Sequence, residues 1–479
     1  MSLKNNVLSG LRWTLVAKLG NQLVSWACTL VVIRLLHPDD YGLMAMATTF
    51  ISVCVMVNEM GLSQALVQAK TVSERELRQT FGLVVLLNGG FFLLFCLVAP
   101  LIAGFFGEPR LKLLLPALAI QFLLLIFFAI PNALLDRDMA FRYKSINEVI
   151  AVTAGSLATL VLAWLGYGVW ALVWGNLLAL LIRIICMNIV RPFLMWPSFD
   201  FSGYSGFAKI GGYITLNRIL WYVHTQADML IVGKLLGKTT LGYYAVAMQL
   251  ASLPLQKVAV IVGTVGHAAY SRLQEQRQLA GSYALKSASV MAFACFPVFF
   301  GLSAVSHEII ALVGGPKWAS AVLPMQLLAL IFPLRALNLV LTPLASGLGR
   351  PDITSRSLAV AAVMLPFAFY LGARLDGLRG VCLAWVLVFP VWSLFAMNMT
   401  LRLVDLRLRD FVRVSAWPAC ASAVMYALVM ALREALLPMP ELPRLALLAL
   451  SGAGFYAGVM WGLRRDACRE LLRQIRQSP

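Results

Sequence analysis

Along this chain, apolar stretches of bilayer-spanning length alternate with short polar connections. The pattern predicts fourteen membrane-spanning helices, near residues 11–36, 41–66, 79–106, 112–134, 147–165, 168–190, 207–236, 241–266, 285–305, 322–348, 357–373, 378–400, 412–432 and 445–463. The longest connections, 191–206 and 267–284, are too short for an extramembrane domain. The expected fold is therefore all-α: one polytopic membrane unit.

The polar positions also repeat. Val31–Ala47 returns 200 residues later as Ile231–Ala247, with Val32/Val232, Leu35/Leu235, Leu36/Leu236, Gly42/Gly242, Ala45/Ala245 and Ala47/Ala247 identical. Arg34 falls on Lys234, and Lys18 on Arg218. An offset containing six spans keeps the first helix of each copy in the same direction, so the repeat is parallel. Weaker matches (Pro131/Pro343, Ser145/Ser357, Gly168/Gly380) sit at an offset of 212. They imply a 12-residue insertion in the second copy, expected in the 267–284 connection. This organisation divides the chain into a first lobe (1–195, helices 1–6), a second lobe (196–405, helices 7–12), and two further helices with a basic tail (406–479). Duplicated membrane halves are typical of transporters, in which they rock about a central site.

Composition agrees: 61% of the 479 residues are hydrophobic and 13% charged. The net charge of +18 would suggest nucleic acid in a soluble protein, but its distribution points elsewhere. Segments flanking alternate span ends, beginning with the N-terminus, hold 24 of the 39 Lys and Arg, and the opposite side holds 8. The positive-inside rule then places both termini in the cytoplasm and makes the basic excess a topology signal, with contact to anionic membrane lipids. No nucleic-acid partner is implied. The eight cysteines form no metal-binding spacing with histidine, so neither metal nor cofactor is expected.

The remaining seven cations lie within spans: Lys18, Arg34, Arg183, Arg218, Lys234, Lys257 and Arg335. Each costs about 2.5–3.5 kcal/mol at membrane depth on insertion scales. Glu59, Glu148 and Asp228 are the comparable acids. Such an excess suggests a hydrated cavity for an anionic cargo, lined by Lys18, Arg218, Lys257, Arg335, Arg34 and Lys234. Arg34, Arg183 and Lys234 sit near helix ends, from which they can also snorkel. On the first helix, Lys18, Gln22, Ser25 and Thr29 share a face; on the seventh, Asn217, Arg218, Trp221, His224, Thr225 and Asp228 do. Asp228, like Glu59, reads either as part of a structural ion pair or as a site for a coupling ion. His224 reads as a hydrogen-bonded interior residue or a proton relay. Asp39 and Asp40 are placed to cap the second helix rather than to hold a metal. Pro254, Pro297, Pro324, Pro333 and Pro366 fall within spans and are expected to kink them.

The run Ala227-Asp228-x-x-Ile231-Val-Gly-Lys234-x-x-Gly237-x-x-x-Leu241-Gly242-x-Tyr244 is similar to the central signature of the Wzx-like polysaccharide-exporter family. That family lies in the multidrug/oligosaccharidyl-lipid/polysaccharide flippase superfamily. Asn58–Gln68 also resembles a family segment, with Glu59 in place of its usual Asp, as does Leu135–Arg142, closest to colanic-acid and xanthan-type exporters. The resemblance implies a V-shaped pair of six-helix lobes that flips an undecaprenyl-pyrophosphate-linked oligosaccharide outward across the bacterial inner membrane. It implies a polysaccharide polymerase and export machinery as partners. Two other functions share parts of the pattern. A cation-coupled multidrug exporter of the same superfamily would call for a more acidic cavity, and a membrane glycosyltransferase or polymerase for a sizeable catalytic outer loop. The expected protein is a transporter and not an enzyme.

Overall fold

The computed structural model describes residues 22, 24–58, 73–138, 140–193, 195–200 and 206–463, with the backbone alone at 57, 58, 141, 206–219, 257–265, 267, 268 and 463. Lipid offers the backbone no hydrogen-bond partner, so long apolar segments must satisfy their own amides as helices. The described residues form α1 (Val24–Leu35), α2 (Pro38–Asn58), α3 (Glu74–Phe106), α4 (Leu111–Arg137), α5 (Phe141–Trp164), α6 (Val169–Val190), α7 (Gly206–Ser271) and α8 (Arg277–Ala304). There follow α9 (Ser306–Gly314), a 3-10 turn (Pro316–Ala321), α10 (Val322–Ala329), α11 (Phe332–Gly347), α12 (Pro351–Leu401), α13 (Leu408–Ala435) and α14 (Glu441–Leu463). Among the described residues there is no strand. Eight of these helices are long and apolar enough to cross a membrane, or nine if the 3-10 turn with α10 (Pro316–Ala329) and α11, bent by 45° to each other, are taken as one span. The protein is an all-α, multi-pass membrane protein.

Local chemistry sets the ends. Ser73 and Glu76 close a reciprocal capping box on α3: the Ser73 hydroxyl accepts from the Glu76 amide and the Glu76 carboxylate from the Ser73 amide. The same helix stops at Gly107, which takes the left-handed conformation at φ 73°. Two long helices are each broken where neighbouring spans were expected to part: α7 at Gly237 (φ 81°) and α12 at Asp376 and Gly377 (φ 55°). At the cytoplasm-predicted ends, Lys144 pairs with Asp136 at 2.5 Å and Arg191 with Asp138 at 3.4 Å across the 135–142 turn.

The expected position of the insertion is corrected. Because α7 runs to Ser271 and α8 begins at Arg277, the 267–284 segment is mostly helical. The ends of α3 and α8, Phe106 and Ala304, are 198 residues apart, whereas the starts of α4 and α10, Leu111 and Val322, are 211 apart. The extra residues therefore lie between Ala304 and Val322, as α9 and the 3-10 turn.

The chain divides into two compact units. The first comprises Met1–Tyr222 with Gly237–Gly242, and the second Val223–Leu236 with Tyr243–Pro479. Within the first unit the two copies of the repeat pack on each other at equivalent positions. A Cβ on Gly42 would lie 1.8 Å from the Lys238 carbonyl oxygen, and one on Gly242 would lie 1.9 Å from that of Pro38. Asp39 accepts from the Thr239 hydroxyl at 2.5 Å, and Lys238 pairs with Glu108 at 3.0 Å and approaches Asp39 at 4.0 Å. The glycine shared by both copies is thus explained by backbone contact.

The second unit is closed by its last two helices. Met425, Val429, Leu448, Tyr456 and Met460 from α13 and α14 form an apolar cluster with Ala304 and Val305 at the end of α8. Beside it Glu308, on α9, is fully buried and accepts from Arg433 Nε at 2.8 Å, while Arg444 Nε lies 3.2 Å away but out of line for a hydrogen bond.

Candidate functional site: a buried acid, an arginine and an aromatic box

The second unit gathers three of the sequence-predicted residues. His224 and Asp228 stand one turn apart on the stretch of α7 before its break, Arg335 comes from α11, and the second half of α12 supplies Trp385, Phe389 and Trp392. Asp228 is 1% exposed. Its Oδ2 accepts from the Tyr244 hydroxyl at 2.5 Å and, more weakly, from Trp385 Nε1 at 3.3 Å; its Oδ1 accepts from the Met229 amide at 2.8 Å. Trp385 Nε1 also donates to the Tyr244 oxygen at 2.8 Å, so indole, phenol and carboxylate form a relay of donors ending on Asp228.

Arg335, partly buried, packs its guanidinium over Trp385 at 4.2 Å and over Phe332 and Phe389 at 5.2 and 5.5 Å. Aromatic faces hold a desolvated cation through the ring quadrupole and leave its N–H edge available. No ion pair joins Arg335 to a carboxylate among the described residues. His224 is buried with its ring 4.6 Å from Trp392 and 6.3 Å from Phe389. Its Nδ1 has no hydrogen-bond partner among the described residues.

Asp228 thus takes its hydrogen bonds from neutral donors. Removing the strongest of them is informative. Tyr244→Phe should lower stability by about 1.5–3 kcal/mol, the usual worth of a hydrogen bond to a charged group. Thermal melting of the purified protein in detergent measures this; an unchanged midpoint would mean that the carboxyl is satisfied by another route.

Other predicted residues lie elsewhere. In the first unit, Ser25 accepts from Ser156 Oγ at 3.3 Å, and its carbonyl accepts from Thr29 Oγ1 at 2.8 Å, which ties the polar stripe of α1 to α5. Gln22 is half-buried and Trp221 exposed, whereas Thr225, in the second unit, is half-buried on α7. Arg34, the penultimate residue of α1, is exposed, as is Lys234, three residues before the break in α7. Arg183 pairs with Glu148 at 2.8 Å. Asp40 accepts from the His37 amide at the start of α2, as a capping residue does, and from the Val169 amide of α6, both at 3.0 Å; Asp39 turns instead to Thr239. Lys18 and Glu59 lie outside the described residues, and for Asn217, Arg218 and Lys257 only the backbone is described. Tyr244 and Trp385 are the additions of the structure. Tyr244 was visible as the last residue of the signature run, but nothing in the sequence linked Trp385 to Asp228 across 157 residues.

With this geometry in view, comparison with known proteins is decisive. A family described as "Polysaccharide biosynthesis protein" matches residues 31–323, well over half of the chain. The chain belongs to this polysaccharide biosynthesis protein family. Among similar curated proteins, the lipopolysaccharide biosynthesis protein WzxC of Escherichia coli (strain K12) is 25% identical over 397 residues, covering 81% of this chain and 79% of WzxC. The succinoglycan biosynthesis transport protein ExoT of Rhizobium meliloti (strain 1021) is 25% identical over 479 residues, covering 97% of this chain and 94% of ExoT. Among solved structures, the lipid II flippase MurJ in an inward closed conformation superposes with a TM-score of 0.76 at 15% identity, covering 95% of this chain and 99% of that one. The resemblance carried by residues 227–244 is therefore borne out for the family, and the fold of this polysaccharide biosynthesis protein is like that of the lipid II flippase MurJ.

Proposed function

We propose that the chain flips a polyprenyl-pyrophosphate-linked oligosaccharide from the cytoplasmic to the periplasmic leaflet of a bacterial inner membrane, for exopolysaccharide or lipopolysaccharide synthesis. The observation that carries this reading is the family match across 31–323, joined to alignment with a transport protein over nearly the full length of both chains. The names of the relatives describe biosynthesis and transport of polysaccharide, not a catalysed reaction.

The chemistry of the chain supports it. A pyrophosphate bearing sugars needs cations in a hydrated cavity, while its prenyl tail can stay in lipid. Lys18, Arg218 and Lys257 supply cations along the expected spans, and Arg335 adds a guanidinium held against aromatic rings. Lys18 and Arg218 are equivalent positions of the repeat, so one headgroup can be held from two sides by charge-assisted hydrogen bonds. In an inside-negative cell, outward movement of an anion gains about 2.3 kcal/mol per charge per 100 mV. The basic asymmetry supports cytoplasmic termini, and delivery of cargo to a polymerase follows from release at the outer leaflet.

Deleting the gene should stop polymer export while lipid-linked units accumulate on the cytoplasmic face. Lys18→Ala and Arg218→Ala should each lose transport at normal protein level, and Arg218→Lys should retain much of it. Normal export by both alanine variants would remove the headgroup role, and sugar transfer by the purified protein would replace the transport reading altogether.

A further inference from the structure

One end of the first unit carries a cavity of about 380 Å³, within the range of small-molecule sites, about 300–1,000 Å³. It lies where the connections after α1, α3 and α5 come together, at the helix ends opposite the turns bearing Arg75, Arg78, Arg137 and Arg142. Its polar groups are Asp40 and Arg110, and its aromatic surface is Tyr167 and Trp170. Gly166 and Gly168, both at positive φ, keep one side free of side chains.

Each polar group has capacity to spare. Asp40 accepts one backbone amide on each oxygen, from Val169 and His37, whereas a carboxylate offers about four lone-pair positions. Arg110 is exposed, and its guanidinium has no hydrogen-bond or ion-pair partner among the described residues. The cavity therefore presents a donor fork and an acceptor pair of opposite charge beside two aromatic rings, of which Trp170 is stacked on Trp174.

We propose that this cavity binds a saccharide, a neutral hexopyranose or a disaccharide of one. Such a ring has an apolar C–H face to lay on an indole or phenol, and an edge of hydroxyls that both donate and accept. Asp40 accepts hydrogen bonds from hydroxyls, Arg110 donates N–H to hydroxyl oxygens, and no net charge is left over. A phosphate headgroup fits less well, because Asp40 would repel it. An aromatic membrane belt accounts for exposed rings such as Trp164, but not for a concavity that pairs a carboxylate with a guanidinium. The assignment rests on the chemistry of the cavity and not on the lipid-linked cargo proposed above, so the two readings can fail separately.

The test uses the full chain in nanodiscs of zwitterionic lipid, with saturation-transfer difference NMR on D-glucose, D-galactose, D-mannose and cellobiose. Transfer to the ring protons of at least one sugar is expected, with Kd of about 1 mM. Arg110→Gln and Trp170→Ala should each weaken binding about tenfold, while Trp196→Phe, at an exposed position outside the cavity, should not change it. Arg110→Gln alters an exposed side chain and keeps the test open if Trp170→Ala does not fold. Absence of transfer from all four sugars would overturn the proposal, as would transfer that survives both variants. Arg110-dependent ³¹P broadening from phosphatidylglycerol nanodiscs, with no sugar signal, would make the cavity a lipid-headgroup site and overturn it too.

Discussion

Glu308→Ala is expected to destabilise the second unit by about 3–5 kcal/mol, the cost of stripping the partner from a buried ion pair. Glu308 is 0% exposed, and the side chains of Arg433 and Arg444 are 14% and 7% exposed. Alanine would leave two guanidiniums side by side with no anion and little water. Arg444 would keep its bond to the Leu437 carbonyl at 3.1 Å, which satisfies one donor but neutralises nothing. Glu308→Gln preserves an acceptor for Arg433 and should lose less. The comparison of the two variants by thermal melting separates charge from shape, and melting of the alanine variant at the wild-type midpoint would refute the account. The position of Glu308 gives the expectation wider meaning. It comes from the segment that interrupts the internal repeat, and its partners come from α13 and α14, which have no repeat counterpart. Both departures from internal symmetry meet at one carboxylate.

The second large effect is expected at Gly42 and Gly242. A methyl group at either position would sit under 2 Å from a backbone oxygen, Lys238 or Pro38, where contacts below 3.0 Å essentially never occur. The obstacle is main chain, so no side chain can swing away, and the segments must part by more than 1 Å. Overpacking of this kind costs about 1–3 kcal/mol and occasionally more. It would exceed the gain of about 1 kcal/mol that alanine brings to a helix over glycine. Separation should also lengthen the Lys238–Glu108 and Thr239–Asp39 contacts. Gly42→Ala and Gly242→Ala should therefore each melt earlier than wild type, and their double variant should be less than additive because both open the same crossing. Wild-type melting of both single variants would show that the crossing is looser than described.

Much of the fold was legible because lipid leaves the backbone few options. Apolar runs of spanning length had to be helices, and gaps in them near 237 and 376 mark real breaks in α7 and α12. The nine-residue α9 escaped notice because a short buried helix between two longer ones has no period of its own to reveal. The same blindness hid Glu308, which reads as a loop acid until α13 and α14 are folded onto it; three charges on one membrane side were the available signal. In the aromatic box, Asp228, Arg335 and His224 were recognisable by the cost of polarity at depth. Their surroundings were not, because partners separated by 16 residues for Tyr244 and 157 for Trp385 are set by helix packing. Packing gives Asp228 a phenol and an indole as hydrogen-bond donors.

The six residues Gly237–Gly242 belong to the first unit although the chain on both sides belongs to the second. Fragment complementation is constrained by this. A gene split in the 195–200 connection would yield an N-terminal piece without the segment on which Pro38, Gly42 and Glu108 rest, and a C-terminal piece holding it with nothing to rest on. Each fragment would bear half of a joint, so co-expression should recover the protein only when the two pieces meet during synthesis, and separately purified pieces should fail to reassemble.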